Sequence, residues 1–143
     1  MSVLEQVQDD AKGALRAGDK ERLHALRLIA SELQKAIKDG RGDETEVLQR
    51  ERKRRLEAAE AYRQGNRAEA AAAEEREAEI IASYMPEQLS DAELESIVGD
   101  ALAESGATTL QELGRVMAVV MPKVKGRAEG GRVSAVVRGK LAA

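Results

Sequence analysis

The sequence predicts an all-α protein, and three observations lead to that prediction. The 143 residues include 34% charged side chains and no Phe or Trp, so any core must be built from Ala, Leu, Val and Ile. Apolar residues recur every three or four positions, as they do along one face of an amphipathic helix. Runs of β-branched residues, which a sheet needs, are short. We expect an N-terminal four-helix region with a long helical hairpin, followed by a small C-terminal three-helix domain.

The first two helices are predicted from their apolar faces and from the signals at their ends. Apolar side chains share one helical face over residues 3–15, and Gly18 is typical of the position that ends a helix. Asp19 then predicts the N-cap of a second helix, whose apolar face covers residues 23–37. The turn-forming stretch 39–43 ends it.

Residues 43–85 are predicted to form the long helical hairpin. Its first arm starts at Asp43 and ends at Gly65, and Asn66 is expected to cap the second arm. Each arm would have about 20 residues and a length of roughly 30 Å. One functional hypothesis is therefore a helical adaptor that docks on a partner protein through this hairpin. Three apolar side chains near the end of the second arm support it: Ile80, Ile81 and Tyr84.

A domain boundary is predicted near Pro86, because the residue before a proline is disfavoured in the α conformation. It separates an N-terminal helical domain, residues 1–85, from a C-terminal domain, residues 86–143. The last helix of the second domain is rich in valine. Capping boxes, which open its first two helices, are formed by Ser90 with Glu93 and by Thr109 with Glu112.

Charge is distributed unevenly within this second domain. Residues 86–112 hold seven acidic residues and no basic ones, whereas residues 113–143 hold seven basic residues and one acidic residue, Glu129. The formal net charge of the whole chain is −3, which argues against a general nucleic-acid coat protein. The basic C-terminal segment is therefore the strongest compositional indication of a binding surface.

The basic segment contains a loop between the last two predicted helices. Pro122 is expected to end the preceding helix one or two residues before it. If the chain beyond Pro122 is extended, Lys123, Lys125 and Arg127 alternate with other residues and project to one side. This pattern predicts a row of cations.

Glycines and a helix start follow this row. Gly126, Gly130 and Gly131 free the backbone to approach a ligand, and the last helix begins there with its positive dipole end exposed. Arg132 lies in or next to the first turn, where a cation is unfavourable by about 0.3–1 kcal/mol. A bound phosphate would account for Arg132. The residues alone leave both an anion site and an ordinary solvated surface open.

Three stretches of the chain resemble the GatB/YqeY family and follow the family's order. They are MPEQLS at residues 85–90, LGRVM at residues 113–117 and MPKVKGRAEGGRVSAVVRGKL at residues 121–141. The resemblance covers nearly the whole chain and is to the small stand-alone YqeY-like proteins. It implies an all-α protein whose C-terminal part is similar to the tail domain of the B subunit of glutamyl- and aspartyl-tRNA amidotransferases.

That tail contacts tRNA, so the resemblance implies tRNA or a tRNA-amidotransferase complex as the partner. Glu129 stands where the family leads us to expect Asp. The catalytic parts of the amidotransferase belong to other domains, so we expect a non-catalytic binding protein. The alternative is an accessory to glutamine-dependent carbon–nitrogen ligase activity. The implied RNA-contacting residues are Lys123, Lys125, Gly126, Arg127 and Arg132, with Arg115 and Arg138 as further candidates.

The remaining motifs predict no catalytic site, no metal and no cofactor. The chain has no cysteine, which excludes thiolate ligands and cysteine nucleophiles. Glu21 and His24 have the E-x-x-H spacing of di-iron helix bundles, but such sites need two copies and His24 is the only histidine. The acidic string in the second arm of the hairpin points around its helix and does not converge: Glu74, Glu75, Glu77 and Glu79.

The first arm of the hairpin carries a second basic cluster, residues 50–55. We interpret it as surface charge that pairs in part with Glu46, Glu51 and Glu57, with an auxiliary contact to the same RNA as the alternative.

The cytoplasm is the predicted compartment. The N-terminus lacks the basic start and apolar stretch of a secretory signal, and no apolar run approaches about 18 residues. No membrane partner is expected.

Overall fold

The computed structural model describes residues 1–142, and these fall into two compact units. The N-terminal unit is Met1–Met85, and the C-terminal unit begins at Pro86. Within the described residues there are seven α-helices, one short 3₁₀ turn and no strand. The predicted all-α fold is therefore confirmed.

The N-terminal unit consists of two helical hairpins that share a core. α1 packs on α2, α3 packs on α4, and α2 also contacts both helices of the second hairpin. The core residues are aliphatic, and burial of each large side chain contributes roughly 1.5–3 kcal/mol. The helices are α1 (Val3–Ala17), α2 (Lys20–Asp39), α3 (Glu44–Gln64) and α4 (Ala68–Ala82). The largest buried side chains are Leu26, Ile29, Leu33, Leu48 and Ile81.

Three helix ends in this unit lie where short-range signals place them. Gly18 ends α1 in the left-handed conformation, with φ of +74°. Asp19 caps α2 by accepting a hydrogen bond from the Arg22 backbone N–H at 3.1 Å. Asp43 caps α3 in the same way and accepts from the Glu46 N–H at 2.8 Å. These three predictions are confirmed.

Asn66 does not cap α4, and that prediction is wrong. It ends α3 instead, in the left-handed conformation with φ of +58°, while the Arg67 N–H donates to the Tyr62 carbonyl at 2.8 Å. Gly65 keeps a negative φ, so the left-handed position falls on Asn66, the residue type that best tolerates it after glycine. α4 starts at Ala68 without a side-chain cap and has 15 residues, fewer than the 20 predicted.

Ionic contacts join α3 to α4. Glu51 is a buried residue, with 2% of its total surface exposed. Its carboxylate accepts from Arg54 at 2.9 Å and pairs with Arg55 at 3.5 Å. Arg55 also donates to Glu77 of α4 at 3.0 Å. The predicted pairing of the basic run with Glu51 is thus confirmed, and it shows that part of the run supports the hairpin itself.

The apolar end of α4 packs within its own unit. Ile81 is fully buried, and Ile80 and Tyr84 pack against the same core. The Tyr84 hydroxyl donates to the Asp10 carboxylate of α1, and burial together with this bond raises the pKa of Tyr84 well above its ordinary value. The three side chains that suggested an adaptor surface therefore stabilise the N-terminal core.

The C-terminal unit is a three-helix domain with its own aliphatic core. Its helices are α5 (Asp91–Ser105), α6 (Leu113–Val124) and α7 (Gly130–Ala142), and a 3₁₀ turn, Leu110–Glu112, precedes α6. The apolar sides of these helices face one another. The fully buried side chains include Leu94, Val98, Val116, Val120, Val133 and Val137.

Ser90 opens α5 as predicted, whereas Thr109 opens the 3₁₀ turn that precedes α6. The Ser90 hydroxyl accepts from the Glu93 N–H at 3.1 Å and donates to the Glu93 carboxylate. The Glu112 carboxylate accepts from the Thr109 backbone N–H at 3.3 Å and from the Thr109 hydroxyl at 3.1 Å. Hydrogen bonds to the Glu112 carboxylate, first from the Thr108 backbone N–H, lower its pKa.

Candidate nucleic-acid interface

Helix α6 continues through Pro122, so the prediction that proline ends it early is wrong. The helix runs to Val124, and Val116, Val120 and Val124 form one fully buried row along it. A proline deep inside a helix is unfavourable by about 3 kcal/mol. Here Pro122 lies in the last turn, where burial of Val124 contributes roughly 1.5–3 kcal/mol in the other direction. The predicted extended row of cations therefore does not form, because Lys123 is helical.

The loop that follows α6 is held by the segment that enters α5. The Leu89 backbone N–H donates to the Arg127 carbonyl at 2.8 Å, and the Gln88 side-chain amide donates to the Gly126 carbonyl at 3.0 Å. Gly126 has φ of +76°, which makes glycine the favoured residue there. The two family-like stretches, residues 85–90 and 121–141, thus meet in space and fix the course of the loop.

Three of the candidate cations reach carboxylates of α5. Lys123 pairs with Glu104 at 2.7 Å, at the end of α5. Arg127 pairs with Glu93 at 3.6 Å and Arg132 with Asp91 at 2.8 Å, both in the first turn of α5. The cationic side chains are 34–43% exposed, so each pair lies at the surface.

The other candidates differ in position and in pairing. Arg115 pairs with Glu112 near the start of α6. Arg138 lies in the second half of α7 and donates to the hydroxyl of Ser134, one turn earlier, at 3.1 Å. Lys125 lies exposed in the loop and forms no hydrogen bond or ion pair with any residue from 1 to 142. Lys123 is thus paired at the C-terminal end of α5, whereas Arg127 and Arg132 are paired at its first turn. Lys125 lies in the loop, and Arg115 and Arg138 lie outside it.

The start of α7 already has a negative group beside it. Glu129 precedes the helix, and its carboxylate oxygen lies 3.3 Å from the place that a Cβ on Gly131 would occupy. Arg132 follows in the first turn and is paired with Asp91. One carboxylate therefore lies beside the start of α7 and another pairs with its arginine, so an external phosphate would have to compete with them.

The sequence pattern did not identify the carboxylates that neutralise the basic loop. Asp91, Glu93 and Glu104 come from the acidic segment 86–112, which the charge asymmetry had set apart from the basic one. The signal was present in that asymmetry, since adjacent segments of opposite charge within one small domain are expected to pair. The three carboxylates belong to the candidate site.

The described residues contain neither a metal-binding cluster nor a membrane-spanning helix. Within residues 1–142, no three His, Asp or Glu side chains are grouped so as to hold a metal ion. Glu21 of the E-x-x-H pair binds Arg76 at 2.6 Å. None of the helices described has the length and apolar character needed to cross a bilayer.

Comparison with known proteins gives one family and one relative. The sequence profile of a family described as Yqey-like protein matches residues 4–141. A curated protein of Pyrenophora tritici-repentis, named "Altered inheritance of mitochondria protein 41, mitochondrial", is 28% identical over 133 residues. The aligned region covers 88% of this chain and 73% of that protein.

Proposed function

This chain belongs to the YqeY-like protein family, and from that premise we propose that its C-terminal unit binds tRNA, or a complex that contains tRNA, through the RNA backbone. One observation supports the proposal most directly. Four cations lie in or next to one glycine-containing loop along the chain: Lys125 has no partner among the described residues, and Lys123, Arg127 and Arg132 are held only by surface pairs.

Surface pairs of this kind are weak enough to be exchanged. An exposed ion pair contributes about 0–1 kcal/mol, whereas a phosphate that meets several cations also releases condensed counterions from the RNA. Because the cations are already oriented by the α5 carboxylates, binding would exchange one acceptor for another. The loop backbone would stay in place, since Gln88 and Leu89, which precede α5, hold it by hydrogen bonds.

Charge, and not base stacking, is the proposed mode of contact. Residues 86–143 contain no Phe, Tyr or Trp, so the unit offers no aromatic platform for an unpaired base. Recognition through phosphates follows the shape of a folded RNA and reads little sequence. The role that we propose is non-catalytic binding.

A gel-shift titration of pooled tRNA with the full-length protein tests this function. If three to five phosphates are contacted, the binding constant should fall with salt at a log–log slope of roughly −2 to −4. The Lys123→Gln/Lys125→Gln variant should bind at least about tenfold more weakly at low salt, with a slope reduced by roughly 1 to 2. Arg127 is left intact, because its Nε also donates to the Glu87 carbonyl and supports the loop.

A matched control removes two lysine charges from the N-terminal unit, so the net charge changes by the same amount. Lys12 and Lys20 are exposed on α1 and α2 and form no ion pair with a described residue. Lys12→Gln/Lys20→Gln should bind tRNA nearly as the wild type does. Absence of binding at low salt, or equal weakening by the two double variants, would contradict an RNA surface on the C-terminal unit.

An accessory role with an amidotransferase is the second proposed function, and it rests on the family relationship. Adding the purified protein to a tRNA-dependent amidotransferase should change the rate of amidation if the role exists, and an unchanged rate would contradict it. The predicted cytoplasmic location and the predicted docking of a protein through residues 43–85 stay predictions, which fractionation and pull-down experiments can test.

A further inference from the structure

A cleft between α2 and α3 of the N-terminal unit collects basic side chains that the function proposed above does not use. Its volume is about 300 Å³. Lys35 comes from α2, Arg41 from the α2–α3 loop, and Arg50 and Arg54 from successive turns of α3. Four cations from three chain segments thus line one concavity.

The pairing of these cations leaves positive charge inside the cleft. Two carboxylates, Glu32 and Asp39, also line it, and each is bound locally, to Lys35 at 3.1 Å and to Arg41 at 3.2 Å. Both pairs lie at the surface, where they contribute only about 0–1 kcal/mol each. Four cations against two carboxylates give a lining charge of +2.

The two arginines of α3 are held differently from the lysine and the loop arginine. Arg54 donates to Glu51, whose side chain is 3% exposed, so a fixed acceptor sets the direction of its guanidinium. Arg50, one turn earlier, forms no hydrogen bond or ion pair with any described residue and is exposed. The cleft therefore contains one oriented guanidinium and one that lacks an acceptor.

We propose that this cleft binds the phosphate group of a small phosphorylated ligand. Guanidinium groups present parallel N–H donors that match phosphate oxygens, and two of them on adjacent turns can hold one phosphate from two sides. The volume is at the lower limit of the range in which proteins hold small ligands, about 300–1,000 Å³, and suits one phosphorylated unit. The site is in the N-terminal unit and does not depend on tRNA binding by the C-terminal one.

Isothermal titration of the full-length protein with inorganic pyrophosphate, at constant ionic strength set with NaCl, tests the proposal. We expect one saturable site per chain. Arg50→Gln should weaken pyrophosphate binding by about tenfold, the loss typical of one charge-assisted hydrogen bond. Arg50 has no partner among residues 1–142, so this variant should keep the wild-type unfolding midpoint, which a thermal melt will verify.

Arg52→Gln is the matched control, because Arg52 lies on the same helix but lines a different groove, beside Leu56 and Glu79. It should bind pyrophosphate as the wild type does. Equal weakening by the two variants, or the absence of saturable binding, would overturn the site. A tRNA gel shift distinguishes the source of the phosphate: if Arg50→Gln weakens tRNA binding and leaves pyrophosphate binding unchanged, the cleft is an RNA contact and the proposal is wrong.

Discussion

Gly126 illustrates at the scale of one residue how the backbone of the candidate site is determined. Its φ of +76° lies in the left-handed region, and its carbonyl accepts from the Gln88 amide at 3.0 Å. The carbonyl of the next residue, Arg127, accepts a hydrogen bond from the Leu89 N–H. A side chain at Gly126 would strain the backbone of the residue that accepts one of these hydrogen bonds and adjoins the residue that accepts the other.

Gly126→Ala should lower the free energy of unfolding by about 1–2 kcal/mol, the strain of a left-handed conformation for a residue with a Cβ. Urea denaturation of the full chain, followed by circular dichroism, measures it. Gly99→Ala is the control, since Gly99 lies inside α5 with open space where a Cβ would be added. That change should raise stability by roughly 0.5–1 kcal/mol. The same sign for both variants would contradict a conformational role for Gly126.

At the scale of helices, the sequence predicted those features that depend on neighbours within one turn. Gly18, Asp19, Asp43 and Ser90 end or begin helices by bonds to residues three or four positions away, so their roles follow from local chemistry.

Two helix boundaries were predicted wrongly because packing and chain reversal decide them. Pro122 stays helical because Val124, two residues later, belongs to the core row of α6. Asn66 takes the left-handed position that closes α3, and no short-range rule excluded the N-cap role. In both places the local sequence permits two backbone conformations, and tertiary packing determines which one is adopted.

The α3–α4 pair also gives a prediction of pH dependence. Burial, and then the nearby Glu77 carboxylate, raise the pKa of Glu74 on α4, while Arg55 offsets this only in part. The folded state thus disfavours the ionised form. Above its folded pKa the group is ionised in both states and lowers stability, whereas below the unfolded pKa of about 4.3 it is protonated in both states and the penalty is absent.

Glu74→Gln should therefore raise the free energy of unfolding at pH 7, by less than about 1 kcal/mol because the site is partly solvated. The gain should vanish as the pH falls through the folded pKa to below about 4. Urea denaturation at several pH values measures both effects. Glu79→Gln, an exposed residue of the same helix, should change little at any pH. A gain that persists at low pH, or a loss at pH 7, would contradict the desolvation of Glu74.

At the scale of the whole molecule, the acidic and basic segments of the C-terminal unit balance each other's charge in part through ion pairs. The acidic segment 86–112 supplies the carboxylates, and the basic segment 113–143 supplies the cations that they bind. The location of the candidate surface followed from the sequence, but its partial neutralisation did not. Ion pairs between segments depend on how α5 packs against α6 and α7, which charge counts do not contain.

This balance predicts that removing the paired carboxylates strengthens tRNA binding. Asp91→Asn/Glu104→Gln frees Arg132 and Lys123 without touching either cation. Each exposed pair contributes about 0.2–1 kcal/mol, so the double variant should bind tRNA about threefold to tenfold more tightly at low salt. The gain should shrink as salt screens the freed charges. Gel-shift titration at two salt concentrations measures the effect.

The control separates local pairing from net charge. Glu95 and Asp100 lie exposed on the same helix and form no ion pair with a described residue, so Glu95→Gln/Asp100→Asn changes the net charge equally without freeing a cation. It should strengthen binding less than the first double variant, through the long-range field alone. Equal gains would mean that tRNA responds only to total charge. No gain in either variant would place the RNA contact away from α5, and the loop cations would then lose their proposed role.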